Sequence, residues 1–171
     1  TSSIVFTVAN WNTPQTITVT AVNDVVVEGA HTSTLTHSAT STDGGYDAIA
    51  IASVTANITD NDSAGFTVSL ISASTTEAGG TATFTVVLNS EPTGIVTTTV
   101  HSSDTTEGTI ATSTLVFSPA SWNLERTVTV TGADDILADG NINYSIILDT
   151  ATSTDDVNYS GINPSDVAVT N

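Results

Sequence analysis

"LVFSPASWNLERTVTVTGADDILADGNI", residues 115–142, is written a second time in this chain, as "IVFTVANWNTPQTITVTAVNDVVVEGAH" over 4–31. Val116-Phe117 matches Val5-Phe6, Trp122-Asn123 matches Trp11-Asn12, and the alternating run at 127–131 matches that at 16–20. Asp135 matches Asp24 and Gly140 matches Gly29, at a constant offset of 122 − 11 = 111. Further on the offset drifts by about two residues, so that Tyr46 faces Tyr159 and Val54 faces Val167. Within the quoted stretch, Val128 and Val130 alternate with Thr127, Thr129 and Thr131. Side chains leave a strand on opposite faces at every residue, so this alternation predicts a half-buried strand.

Working outward, short alternating runs bounded by Gly, Pro, Asn and Asp recur every 10–15 residues, the pattern of a β-sandwich. Seven strands are predicted in the later copy: 65–71, 80–89, 95–101, 113–118, 126–132, 141–149 and 165–171, lettered A to G. The earlier copy holds counterparts of D to G alone, at about 3–7, 15–22, 30–38 and 50–59. The predicted fold class is therefore all-β, with immunoglobulin-like antiparallel β-sandwich repeats in tandem. Residues 1–62 form the C-terminal half of one unit and 63–171 nearly all of a second. Half a unit cannot bury its own apolar face, so the expected setting is a longer array in which neighbouring repeats are the first partners.

Composition narrows the function. The 171 residues carry a formal net charge of −17, from 18 Asp and Glu against one basic residue, Arg126. About a third of the residues are Ser or Thr, which with the Val and Ile favours strands. Nucleic acid is excluded as a partner, because affinity for phosphates comes from Lys and Arg. No apolar run approaches the ~18 residues of a membrane span, so no membrane insertion is expected. Without cysteine there is neither a disulfide framework nor thiol chemistry. An export signal is expected outside this segment. No nucleophile, phosphate-cradling or His-rich metal motif appears, and the chain reads as no enzyme.

If consecutive strands run antiparallel, loops A–B, C–D and E–F and the end of strand G emerge at one pole. That pole collects Glu77, Asp104, Glu107, Asp134, Asp135 and Asp139 in the later unit, and Asp24, Glu28, Asp60 and Asp62 in the earlier one. Converging carboxylates with no Lys or Arg in reach repel one another unless a cation neutralises them. Ca²⁺ accepts six to eight oxygens in flexible geometry, whereas Mg²⁺ keeps its water and zinc prefers Cys and His. The competing reading is that these acids are solvated turn residues, since Asp, Asn and Gly are ordinary turn formers. His31 and His37 fall on the inward row of the earlier F strand, and Trp11 and Trp122 in the D–E turn at the opposite pole.

The run "TEAGGTATFTVVL" (76–88), an acid before "TLVFSPASW" (114–122), "VTVTGADDILADGN" (128–141) and a closing "ITDND" (58–62) together resemble the Calx-beta repeat. That family occurs in sodium–calcium exchangers, integrin β4 and long bacterial surface proteins. The resemblance implies a seven-stranded immunoglobulin-like sandwich with Ca²⁺ held by the loops at one pole. It places Glu77, Glu107, Asp134, Asp135 and Asp139 on ligand-type positions of the later unit, and Asp24, Glu28, Asp60 and Asp62 on those of the earlier one. The expectation is a non-catalytic, calcium-stiffened structural repeat of an extracellular or cell-surface, adhesin-like protein. The alternatives are a module binding surface glycans, or a subunit assembling with identical subunits into an extracellular filament or surface layer.

Overall fold

The computed structural model describes residues 3–136 and 140–171. Among these residues there is no helix, and ten strands pair antiparallel throughout. In chain order they are β1 (His31–Leu35), β2 (Val54–Ile58), β3 (Phe66–Val68), β4 (Thr81–Leu88), β5 (Val96–Ser102), β6 (Gly108–Ile110), β7 (Thr114–Phe117), β8 (Arg126–Gly132), β9 (Asn143–Leu148) and β10 (Val167–Thr170). Two four-stranded sheets, ordered β3-β4-β8-β6 and β10-β9-β5-β7, carry the core, and β1 and β2 form a separate two-stranded ribbon.

Alternation does what the sequence predicts in the second half. Along β4, Ala82, Phe84, Val86 and Leu88 are buried, and along β8 Val128 and Val130 are fully enclosed. Tyr144, Ile146 and Leu148 of β9 close the core from the other sheet. Phe66 meets Phe117 and Tyr159 edge-on, with ring centroids 6.0 Å apart in each pair. Tyr159 pins the lower rim: its hydroxyl donates to the Ser90 carbonyl at 2.8 Å and accepts from the Ser90 N–H at 3.0 Å. Buried Asp156 ties the 155–160 loop to the 89–94 loop, accepting N–H bonds from Thr93 (2.7 Å), Asn158 (2.8 Å) and Tyr159 (3.2 Å).

The single cation is spent on structure. Arg126 donates to the carbonyls of Val116, Leu124 and Ser121, and its guanidinium lies 5.2 Å from the Phe117 ring centroid. It therefore braces the turn that holds Trp122, which packs against the core. Among the described residues it makes no ion pair.

Three expectations need correction. A short strand not foreseen, β6, pairs with β8 beyond the expected seven. Conversely, residues 3–7 and 15–22, expected as strands D and E of the earlier unit, form no strand. The reason lies in the pairing. In the complete sandwich, strand D (β7) pairs with C (β5), and strand E (β8) pairs with B (β4) and β6. Those partners have no counterparts in residues 3–62. Strands F and G pair with each other, and that ladder alone forms, as β1 and β2. Its register repeats that of β9 and β10: Leu35 faces Val54 as Ile146 faces Val167, and Thr32 faces Asn57 as Asn143 faces Thr170. His31 and His37, expected to face inward, are exposed, because no second sheet covers them.

Candidate metal centre

The DND run at 60–62 follows β2, and residues 21–28 lead into β1, so the ribbon's register brings these two segments together. Asn23, Asp24, Glu28, His31, Asp60 and Asp62 line a cleft of about 260 Å³. Four of the ten carboxylates assigned to the acidic pole from the sequence thus share one concavity. Asp60 is its anchor. One carboxylate oxygen accepts from the N–H of Glu28 at 2.8 Å and of Gly29 at 2.7 Å, and the other accepts from the N–H of Asp62 at 2.9 Å. These donors, Asp62 first and Gly29 next, hold the Asp60 carboxyl below its usual range. Gly29 adopts φ +70°, the left-handed conformation that turns two successive N–H groups toward one oxygen.

Around that anchor the donors are mainly oxygens. Asp24 caps its own turn by accepting from the Val26 N–H at 2.9 Å. His31 has Nδ1 3.0 Å from the Gly29 carbonyl and Nε2 3.7 Å from the Glu28 carboxylate. The cleft adjoins the second half of the chain. Val26 forms a parallel bridge with Glu91, whose N–H donates to the Val25 carbonyl at 2.7 Å, and the Asn158 amide donates to the Val27 carbonyl at 3.2 Å. The acidic end of the first ribbon therefore abuts the 89–94 and 155–160 loops of the sandwich.

At the corresponding pole of the sandwich, four segments converge as the strand parity predicts. The Thr75 N–H donates to the Thr170 carbonyl, and the Ala133 N–H to that of Glu107. The Asn171 amide reaches the Glu107 carboxylate at 3.5 Å and the Ala133 carbonyl at 3.4 Å. Glu107 is buried, Asp135 half-buried, and Glu77 and Asp134 exposed; Asp139 lies outside the described residues. Among the described residues, Asn171 Oδ1 is buried with no hydrogen-bond partner. A Cβ on Gly132 would touch that oxygen and the Thr76 carbonyl, so these acceptors crowd one spot. Asn171 and Asp156 were not foreseen; no sequence signal separates a loop amide or carboxylate that ends buried from one that stays in water. Asp104 is a turn cap, its carboxyl held below the usual range by the Thr106 hydroxyl and N–H.

Among the described residues, no three His, Asp or Glu side chains are gathered closely enough to hold a metal ion by themselves. No helix among them is long and apolar enough to cross a membrane. Compared with known families and curated proteins, the chain matches no family model and no curated sequence.

Proposed function

We propose that this chain is a non-catalytic structural module of a longer extracellular or cell-surface, adhesin-like protein, in which Ca²⁺ stiffens the junction between successive β-sandwich units. The observation that carries this reading is the cleft at that junction, lined by Asp24, Glu28, Asp60 and Asp62 and facing no Lys or Arg among the described residues. Its donors suit a hard cation with many oxygen ligands, and the cleft has room for water to fill the remaining positions. The orphaned Asn171 oxygen beside Glu107 and the Thr76 carbonyl supports a second, equivalent position at the far pole.

In this reading Asp60 is a positioning residue, held by backbone N–H groups, while Asp24, Glu28 and Asp62 supply charge. An ion bound to them would join the segment before β1 to the segment after β2, and so hold the ribbon on the neighbouring loops. Calorimetric titration with CaCl₂ and with MgCl₂ tests it, on the parent and on an Asp24→Asn, Asp62→Asn variant that keeps Asp60. The expected result is calcium-selective binding, with hydrogen exchange at 24–31 and 58–62 slowed in the parent and weakened binding in the variant. No calcium-dependent heat and unchanged exchange would leave these acids as solvated turns and overturn the proposal.

A further inference from the structure

The N-terminal segment leaves apolar side chains in water that the second half of the chain encloses. Phe6 is 54% exposed where its counterpart Phe117 is 0%, and Val19 is 53% exposed where Val130 is 0%. Ile17 and Tyr46 are likewise exposed, against fully buried Val128 and Tyr159. In the sandwich their counterparts share one core with side chains of β3, β4 and β5, and β5 also continues the β10-β9 ladder along β9. On the ribbon the same ladder, in the same register, stops at β1.

We infer that the exposed apolar side chains and open β1 edge of residues 3–58 are a receptor for an extended segment chemically equivalent to residues 63–113. The occupant's register follows from continuity with the β5–β9 interface. There Val100 faces Leu148, His101 faces Ile147 and Ser102 faces Ile146. At the offset of 111, those β9 positions correspond to His37, Thr36 and Leu35. An antiparallel strand of the type "VTTTVHS" (96–102) would therefore set its His opposite Thr36. It would also return partners to 3–7 and 15–22, which alternate like strands but have none to pair with. This inference is independent of whether calcium binds.

The test is a chain carrying a second copy of residues 63–113 joined directly to Ser3, the counterpart of Thr114, ahead of the otherwise intact sequence. The parent has no cysteine, so one cysteine at Thr36 and one at the added copy's His101 position report the register without interference. Hydrogen exchange at 15–20 is expected to slow by about a hundredfold or more, in calcium or in chelator. The in-register cysteine pair should form its disulfide, and a pair displaced by two residues should not. Protection of 66–170 in the same experiment reports that the chain is folded. With 66–170 protected, unprotected 15–20 in both conditions would overturn the inference. A parent that forms a concentration-dependent dimer with β1 already protected would also overturn it, by assigning the face to a second copy.

Discussion

At the scale of single residues, backbone donors and close contacts decide more than charge does. Two carboxylates at 60 and 62 with no nearby cation are stabilised first by N–H groups, three of which converge on Asp60. Its folded pKa lies below the usual 3.8, so its contribution is present above that value and is lost as the pH falls beneath it. A carboxyl-carbon NMR titration should give Asp60 a midpoint below 3.8; a midpoint at or above it would remove the anchor. Tyr159→Phe should cost about 1–3 kcal/mol in urea unfolding, because the Ser90 N–H and carbonyl then stay buried without their partner. Gly108→Ala places a methyl about 2.1 Å from the buried Tyr144 hydroxyl and should cost about 1–3 kcal/mol by overpacking. An unchanged unfolding midpoint for either variant would contradict the packing described.

At the scale of elements, a strand exists where its ladder partner exists. The runs at 16–20 and 127–131 are almost the same sequence, yet only the second is a strand, because β4 and β6 flank it. A matched pair of substitutions measures the difference. Phe84→Ala, in the middle of β4, should lose about 3–5 kcal/mol, whereas exposed Phe6→Ala should stay within about 0.5 kcal/mol. Comparable losses at both sites would mean that the N-terminal segment shares the core after all. The β-sandwich, the buried row of β8 and the pole that gathers the acidic loops were legible from alternation and strand parity. The short β6 strand was not, since Gly108-Thr109-Ile110 is too brief to show a period.

At the scale of the whole molecule, a net charge of −17 with a single arginine makes self-repulsion a general load on the compact state. Raising NaCl from about 0.1 M to 1 M shortens the screening length from about 10 Å to 3 Å, so the melting temperature should rise with salt. At constant ionic strength, Ca²⁺ should add a further rise that Mg²⁺ does not match, worth about 2.7 kcal/mol at a hundredfold excess over Kd. Equal curves in calcium, magnesium and chelator would reduce the acids to a screening effect. The acidic end of the ribbon is set on the 89–94 and 155–160 loops of the sandwich, and the proposed ion would tie these parts together.

By itself the sequence determined the sandwich strands other than β6, the internal duplication and the sorting of acids by pole, because side-chain period and turn residues are local properties. Only the tertiary structure decided which of two nearly identical runs becomes a strand, that Asp60 is held by N–H groups, and that Asn171 and Asp156 end buried. Those outcomes depend on what stands across a ladder or beneath a loop, and residues far apart in sequence supply it.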